Sequence, residues 1–442
     1  MKKYLAATIV FGFLFIGFGI AHAVNYSFTY LDIPGKAIDM NESGTIIGAY
    51  KDADDYSSYF IFSGSSWVTP HHPDDVRGHR THLSLWSINN AGTIVGRFFA
   101  GDGFERGFSL KDGIYTTMQY DDFQFTYAFD INDSGIVIGE SERSMDMPID
   151  ITGFIYDGNT YTKLSYEGRE SFIPRFINNN GAIVGRFFFG HSTWYMVTGS
   201  TWEIISYPNL HDIVALNNRN HIIGKYRQLD GSLSSFTYDG ITYRTINYPG
   251  ASTTEALGLN DKDMIVGSYI DSSGNRHGFS YINGVWSSID YPGATDTYAR
   301  LVNNNGLIVG SFTKDGQEGQ FLATPLSAVA IDIRPWNSSN LINRKGWGLL
   351  PVAILSNNEF DAVDVMDLDT ITFGRTGDEH SMAFCSPIEW NVNRDSYKDL
   401  VCFFWIQRTG FQCGDTQGIL KGTTQSGIHV EAKDSVRVIP CK

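Results

Sequence analysis

The feature that most constrains the fold of this chain is a phrase, clearest as INNNGAIVGRF over residues 177–187, that recurs along most of its length. Each copy joins a polar turn cluster, led by Asn, to an apolar segment that contains Gly. A period of about 40–50 residues built from short strands is typical of a β-propeller with one blade per copy. The leading asparagines, spaced 39 to 48 positions apart, are Asn41, Asn89, Asn132, Asn178, Asn217, Asn260 and Asn303.

Each copy reads as four short strands. In the sixth copy they are TEALGLN (254–260), MIVGSYI (264–270), HGFSYI (277–282) and VWSSIDYP (285–292). The Asn-x-x-Gly cluster is predicted to form the hairpin between the first two strands, because Asn and Gly tolerate the positive φ values of a tight turn. The phrase is therefore expected to be structural, a turn followed by a core strand.

The two ends of the repeat region are predicted to pair with each other. The seventh copy contributes YARLVN, LIVGSF and GQFLAT and then lacks a fourth strand, while FTYLDIPG (28–35) matches the fourth-strand segment WSSIDYPG (286–293) of the sixth copy. Residues 28–34 are therefore expected beside residues 318–324, which would remove two open sheet edges. We predict an all-β fold, a seven-bladed β-propeller closed by its N-terminal strand and followed by a small β-sandwich domain.

Composition agrees with β-structure and limits the partners. Aromatic residues make up 14% of the chain, charged residues only 18%, and 46 residues are Gly, a mixture that suits strands and tight turns. The 33 Lys and Arg residues face 48 Asp and Glu residues, a net charge of −15. Such a surface repels phosphate backbones, so nucleic acid is not an expected partner.

The first residues, MKKYLAATIVFGFLFIGFGIAHA, resemble a secretory signal with two lysines, an apolar run and small residues at Ala21 and Ala23. The alternative is an uncleaved membrane anchor. We expect a signal peptide over 1–23, a propeller over 24–326 and a sandwich over 327–442. The protein is expected to be a secreted or periplasmic monomer without membrane insertion after cleavage.

The repeat resembles the HAF family of extracellular repeat proteins over roughly residues 26–325. RHGFSY (276–281) comes nearest to the His-Ala-Phe phrase of that family, and the equivalent segments ERGFSL and ITGFIY match it loosely. The resemblance implies an exported repeat protein and no particular chemistry.

The composition changes after residue 327. The segments AIDIRP, PVAIL and NVNRDSYKDL resemble three parts of a module appended to many exported bacterial and archaeal proteins, and alternating β-branched and aromatic residues predict a small β-sandwich. All four cysteines, Cys385, Cys402, Cys413 and Cys441, fall in this part of the chain. In an exported chain they predict one or two disulfides, with three possible connectivities.

The strongest chemical motif is a loop that presents oxygen ligands at the 1-3-5-7-9 spacing of calcium loops. Calcium is therefore an expected cofactor, although Ser396 replaces the turn Gly and Cys402 stands where such loops carry a bidentate Glu. The alternative is a solvated turn in which these side chains cap backbone amides. The predicted ligands are Asn391, Asn393, Asp395, Tyr397 through its carbonyl, and Asp399.

A second candidate is the crossover segment TPHHPDDVRGHRTHLS (69–84) between the first two repeats. Imidazole and carboxylate groups together are ligands for transition metals, and the alternative is a polar, exposed loop. Arg175 and Arg300 are expected near the central channel, and His211 with Asp212 lies in an equivalent crossover. The candidate ligand-binding residues of the segment are His71, His72, Asp74, Asp75, His79 and His82.

No nucleophile elbow, phosphate-binding glycine loop, zinc-protease helix or cofactor fingerprint is present in the sequence, so catalytic residues stay unassigned. We expect a secreted, non-enzymatic binding or scaffold protein that presents its loop-rich face to an extracellular polysaccharide or protein. The alternatives are a polysaccharide hydrolase or lyase with its site at the channel mouth, and a structural role at the cell surface.

Overall fold

The computed structural model describes residues 25–75, 83–121, 123–143, 151–168, 171–187, 193–337, 339–357, 360–425 and 429–440. In these ranges the protein is almost entirely β-sheet, apart from the short helix α1 (Ala362–Val365) and a 3-10 turn at Ile406–Arg408. Within the described ranges, no helix has the length and apolar character needed to cross a membrane.

The repeat region forms four-stranded antiparallel sheets from consecutive strands. Strands β2–β5, β6–β9, β10–β13, β14–β17 and β18–β21 each form one sheet, and β22–β25 continue the pattern. The strands are β1 (Asn25–Leu31), β2 (Lys36–Met40), β3 (Ile46–Lys51), β4 (Ser57–Ser63), β5 (Ser66–Val68), β6 (Ser84–Ile88), β7 (Ile94–Phe99), β8 (Glu105–Lys111), β9 (Ile114–Met118), β10 (Phe125–Ile131), β11 (Val137–Glu142), β12 (Ile151–Tyr156), β13 (Tyr161–Leu164), β14 (Phe172–Ile177), β15 (Ile183–Phe187), β16 (Trp194–Thr198), β17 (Thr201–Ile205), β18 (Leu210–Leu216), β19 (Ile222–Arg227), β20 (Leu233–Tyr238), β21 (Tyr243–Ile246), β22 (Thr253–Leu259), β23 (Ile265–Ile270), β24 (Arg276–Ile282), β25 (Val285–Ile289), β26 (Asp296–Val302), β27 (Ile308–Lys314) and β28 (Gln317–Ala328).

The Gly of each apolar phrase lies in the second strand of its sheet, opposite an aromatic residue of the third. Gly48 pairs with Phe60, and a Cβ atom at Gly48 would overlap the Phe60 ring. The absence of a side chain thus lets the ring pack flat against the backbone. The equivalent fully buried phenylalanines are Phe108, Phe154, Phe236, Phe279 and Phe321.

The leading asparagines form a closed ring of hydrogen bonds, which we call the asparagine ring. The side-chain Nδ2 of each donates to the backbone carbonyl of the next, as from Asn178 to Asn217 at 2.9 Å. The Oδ1 atom accepts from its own turn, as from the backbone N–H of Ala182 at 2.9 Å. Every asparagine is buried, so each ties one turn to the next repeat. The members are Asn41, Asn89, Asn132, Asn178, Asn217, Asn260 and Asn303.

The residues that follow these asparagines form a second ring. Each donates its backbone N–H to a side-chain oxygen in the next repeat, and Asn304 closes the circuit by donating to Glu42 Oε2 at 2.9 Å. These residues line one common cavity with residues of the first strand of each repeat. The members are Glu42, Asn90, Asp133, Asn179, Asn218, Asp261 and Asn304.

The predicted pairing of the two ends is confirmed. Strand β1 runs antiparallel to β28, with Phe28 opposite Ala323 and Leu31 opposite Gln320. Strands β26, β27, β28 and β1 therefore form a four-stranded unit like the others. Residues of the first strand of every repeat line one common cavity of about 360 Å³, which we call the central channel.

The C-terminal part contains two sheets around one hydrophobic core, in which Ile333, Val352, Phe373, Phe404 and Leu420 are fully buried. One sheet has the order β29-β31-β34-β33, and the other contains β32, β35 and β36, with β36 running parallel to the end of β28. The strands are β29 (Ala330–Ile333), β30 (Leu341–Asn343), β31 (Leu349–Leu355), β32 (Met366–Gly374), β33 (Met382–Cys385), β34 (Leu400–Trp405), β35 (Gln417–Thr424), β36 (His429–Ser435) and β37 (Arg437–Ile439).

One of the three possible cysteine pairings is selected in this region. Cys385 of β33 forms a disulfide with Cys402 of β34, and these two residues lie opposite each other in the sheet. The prediction of a disulfide is thereby confirmed.

Candidate functional site

Strand β18 has an irregularity of its own between Leu210 and Asp212, and the inner strand of every repeat carries one extra residue at a shared position. This residue lies three positions before the ring asparagine, and each one lines a cavity in the centre of the repeat region. Such bulges re-aim a side chain, so the first strands are the elements that furnish the channel. The bulged residues are Ile38, Trp86, Phe129, Arg175, Val214, Leu257 and Arg300.

Three adjacent bulged residues, Trp86, Phe129 and Arg175, open into a cavity of about 740 Å³. We call it the arginine–tryptophan pocket. It lies on the crossover side, because its other walls come from the end of β15, the start of β16 and the start of β18. The remaining lining residues are Phe176, Arg186, Trp194, Leu210, His211, Asp212 and Ile213.

Guanidinium groups lie over the aromatic rings of this pocket. The Cζ atom of Arg175 is 5.0 Å from the centre of the Phe129 ring, and that of Arg186 is 5.6 Å from the Trp194 ring. The Phe129 ring lies 4.9 Å from Trp86. Cation–π contacts of this kind orient an arginine without neutralising its charge.

Neither Arg175 nor Arg186 forms an ion pair or a side-chain hydrogen bond with any described residue. The nearby Arg97, by contrast, binds Glu105 through Nη1 at 2.9 Å while lying over Trp86. The pocket therefore keeps two positively charged groups with free donors.

Glu140 is a carboxylate close to these arginines. It lies on β11, and its Oε2 atom is buried without a hydrogen-bond partner. Burial and, to a lesser extent, the Glu142 carboxylate raise the pKa of Glu140 to about 7, although Arg175, Arg186 and Arg97 oppose the shift. A group with this pKa can hold or release a proton near neutral pH.

Two further acidic residues with raised pKa values lie in the central channel. Burial raises the pKa of Asp39 to about 6 and that of Asp130 to about 7. Both accept backbone N–H groups of the neighbouring repeat, Asp39 from Ile88 at 2.9 Å and Asp130 from Ile177 at 2.8 Å. These hydrogen bonds join adjacent inner strands and indicate a structural role.

The two arginines predicted from the sequence lie in different places. Arg175 lines the arginine–tryptophan pocket. Arg300 lines a separate cavity of about 210 Å³ together with Lys36, Tyr298 and Glu318. His211 and Asp212, expected in a crossover, do line the arginine–tryptophan pocket.

The histidine-rich segment does not converge on one point within the described residues. His71 and Asp74 are exposed, Asp75 is partly buried, and His79 and His82 lie outside the described residues. His72 is buried and stacks on Phe98 with ring centres 3.5 Å apart. Tyr291 stacks in the same way on Phe312, the equivalent residue of the last repeat, at 3.7 Å, so His72 occupies a packing position.

The predicted calcium loop is held by hydrogen bonds to its own backbone. Asp399 is buried, and its two oxygens accept the backbone N–H groups of Ser356 at 2.9 Å and Val392 at 2.6 Å. Asp395 accepts from the backbone N–H of Tyr397 at 2.7 Å and from the amide of Asn393 at 2.8 Å.

These contacts resemble the turn-capping alternative more closely than a set of free oxygen ligands. The Nδ2 group of Asn391 likewise donates to the carbonyl of Asp395. In the described ranges, no group of three or more His, Cys, Asp or Glu residues is placed to hold a metal ion. Calcium binding by this loop stays a prediction.

The sequence analysis did not identify most of the pocket. Trp86 and Phe129 share the bulge position with Arg175, and Glu140 and Arg186 both follow the Gly of the apolar phrase. When the repeats are aligned on their asparagines, the bulge position and the position after the Gly differ between repeats, and these differences are the signal that identifies the residues.

Comparison with known proteins gives one family match and several structural neighbours. Residues 112–191 match the family described as "Protein of unknown function (DUF3466)". No curated protein matches this chain.

Among solved structures, an Aleuria aurantia lectin in complex with Fucalpha1-6GlcNAc is 11% identical and has a TM-score of 0.33, covering 60% of this chain and 94% of the lectin. The β-propeller domain of the Trilobed protease from Pyrococcus furiosus is 10% identical with a TM-score of 0.41, covering 68% of this chain and 98% of that domain. YCF48 from Cyanidioschyzon merolae is 11% identical with a TM-score of 0.41, covering 68% of this chain and 98% of its own.

Proposed function

We propose that this chain is an exported, monomeric binding protein, a seven-bladed β-propeller with a C-terminal β-sandwich. The blade count is supported by the seven members of the asparagine ring and by its closing bond from Asn303 to Asn41. The sandwich is supported by two sheets that share one core. Fractionation of the producing cells, with sequencing of the mature N-terminus, tests export.

We place the binding site in the arginine–tryptophan pocket and propose that its ligand is a saccharide. One observation carries this proposal: a cavity of about 740 Å³ combines aromatic side chains with two arginines, Arg175 and Arg186, that form no ion pair or side-chain hydrogen bond with a described residue. Ligand sites are typically apolar concavities with a few polar groups that fix orientation. Sugar rings suit this surface, because their C–H faces pack on aromatic rings while their hydroxyl groups accept hydrogen bonds.

The test is a glycan array probed with the purified protein, followed by titration of the hits. We expect binding that Trp86→Ala lowers at least tenfold. Trp67→Ala is the matched control, since Trp67 lies on an outer strand and outside the pocket. Retention of full affinity by Trp86→Ala would remove the pocket as the site, and a protein ligand would then be the next candidate.

One observation favours a second function, hydrolysis or lysis of a polysaccharide. Glycoside hydrolysis needs a carboxylic acid of raised pKa and a second carboxylate. Glu140, which interacts electrostatically with Arg175 and Arg186, has a raised pKa, and Asp212 is a carboxylate that lines the pocket. Incubation with the array hits, followed by measurement of reducing ends and unsaturated products, distinguishes the two functions. Product that appears with wild type and not with Glu140→Gln would establish an enzyme.

A further inference from the structure

The basic residues at one equivalent position of three repeats can be compared by their ion pairs. The residue after the Gly of the apolar phrase is basic in three repeats, at Arg97, Arg186 and Lys225. Arg97 binds Glu105 at 2.9 Å, and Lys225 binds Glu255 at 2.6 Å. Arg186 is the exception, since it has no ion pair among the described residues.

Arg186 has an acidic side chain nearby, Asp212, and still forms no ion pair with it. Asp212 lies five positions before Asn217, as Glu255 lies five positions before Asn260, and it lines the pocket with Arg186. No ion pair joins Asp212 to Arg186, and one Asp212 oxygen accepts from the backbone N–H of Ile213 at 3.0 Å. The guanidinium of Arg186 is thus left available to a ligand.

Arg175 supplies a second available guanidinium in the same cavity. It is held over the face of Phe129, which orients the group without using its N–H donors. Two guanidinium groups that face one cavity repel each other, and an oxyanion can bridge them through N–H···O bonds to its oxygens.

Glu140 does not neutralise this pair fully. Its side chain accepts no hydrogen bond from a described residue, and its pKa of about 7 means that a substantial fraction is protonated at neutral pH. The charges that face it are Arg97, Arg175, Arg186 and Glu142. The pocket lining carries two arginines and one carboxylate, Asp212, so in a protein with a net charge of −15 the pocket is a local site of positive charge.

We propose that the pocket binds an acidic saccharide, in which a carboxylate or sulfate group on the sugar bridges Arg175 and Arg186 while the ring packs against Trp86 and Phe129. This inference rests on the proposed function and specifies its ligand class. A neutral saccharide would leave both guanidinium groups without an anion, and desolvated charges without partners are unfavourable.

The experiment compares saccharides that differ only in charge. Isothermal titration is performed with a galacturonic acid tetrasaccharide and its methyl ester, and with a sulfated galactose tetrasaccharide and its desulfated form. We expect an acidic form to bind at least tenfold more tightly than its neutral counterpart, and this difference to shrink as salt is raised. The carboxylate and sulfate arms identify which group the arginines select.

Three variants assign the effect to the pocket. Arg175→Gln and Arg186→Gln are expected to lower the affinity for the acidic form by about 10- to 100-fold and the affinity for the neutral form by a smaller factor, since only hydrogen bonds to hydroxyl groups are lost there. Arg186→Lys keeps the charge and should recover part of the loss. Arg244→Gln is the matched control, since Arg244 is exposed on an outer strand. Circular dichroism and melting curves show which variants are folded.

The outcomes separate this inference from the proposed function. Equal affinity for the acidic and neutral forms, abolished by Trp86→Ala, would overturn the acidic ligand and leave the saccharide pocket standing. Binding of neutral array glycans alone would do the same. Absence of binding to every saccharide on the array and in the titrations would overturn both.

Discussion

The side-chain amide of Asn303 donates to the backbone carbonyl of Asn41 at 3.4 Å, although 262 residues separate the two in sequence. The same bond joins every neighbouring pair of repeats, so this contact differs from the others only in closing the circuit. The asparagines that begin each sequence repeat are thus the residues that hold adjacent repeats together.

Asn178→Ala is expected to lower the free energy of unfolding by about 2–4 kcal/mol, because it removes the buried bond to the carbonyl of Asn217 and leaves the backbone N–H groups of Asn180 and Ala182 without their side-chain acceptor. Chemical denaturation measures the change. Asn159→Ala is the control, since Asn159 lies in an exposed turn and should change stability by less than about 0.5 kcal/mol. Equal effects of the two substitutions would contradict a stabilising ring.

Phe28→Ala should destabilise the repeat region by about 1–3 kcal/mol, because a partly buried aromatic ring is removed. Phe28 contacts Phe321 with ring centres 5.5 Å apart, so the variant reports on closure between the two ends. Tyr30→Ala, an exposed position of the same strand, is the matched control. A melting temperature unaffected by Phe28→Ala would mean that β1 contributes little.

Glu140→Gln is expected to stabilise the protein in a pH-dependent way. Glu140 has its pKa raised to about 7 from 4.5, so its ionised form destabilises the fold. Wild type and variant should be equally stable at pH 4, diverge as pH rises through the interval between these two values, and differ by about 1–3 kcal/mol at pH 8. Denaturation at several pH values measures this. A constant difference would mean that the carboxyl group is not desolvated.

His72→Tyr should preserve or raise stability, because equivalent packing positions hold tyrosine in other repeats. Burial lowers the pKa of His72, while Asp74 and Asp75 oppose the shift. The wild-type protein should therefore lose stability relative to the variant as pH falls below the usual histidine value of about 6.5. Zinc titration of both proteins completes the test, and loss of zinc binding in the variant would instead support a metal ligand.

Asp399→Asn is expected to destabilise the C-terminal part by about 1–3 kcal/mol, in chelator and in calcium alike, because the carboxylate of Asp399 binds two backbone amides. Melting curves in EDTA and in calcium chloride measure this for wild type, Asp399→Asn and Asp395→Ala. A rise in melting temperature with calcium that Asp395→Ala abolishes would establish the predicted metal site. Identical curves in both solutions would leave only the turn-capping role.

The turns, the strands and the pairing of the ends could be predicted because they follow from local rules. Asn and Gly mark a tight turn wherever they stand, and the match of residues 28–35 to 286–293 identifies a missing strand. The partner of each ring asparagine could not be predicted in the same way, since it depends on how closely two repeats approach. The sequence shows that Asn178 begins a turn, and only the packing shows that it binds Asn217.

The candidate site was less predictable, for two physical reasons. A bulge at Trp86, Phe129 and Arg175 turns these side chains towards the channel, and regular alternation along a strand does not anticipate a bulge. His72 was a candidate metal ligand because imidazole binds metals. In the structure its imidazole ring stacks on the ring of Phe98 instead. The residue type alone therefore did not distinguish a metal-binding histidine from a packing histidine.

The pairing of β1 with β28 also means that the two strands of one sheet are synthesised at different times. The strand that seals the last sheet is synthesised before any repeat, and its partner at Gln317–Ala328 is synthesised after all of them. During translation β1 therefore has no native partner strand until β28 has been synthesised. The pairing of the two ends is therefore a late step in folding. A chain that ends before β28 would leave unpaired strand edges, which favour aggregation.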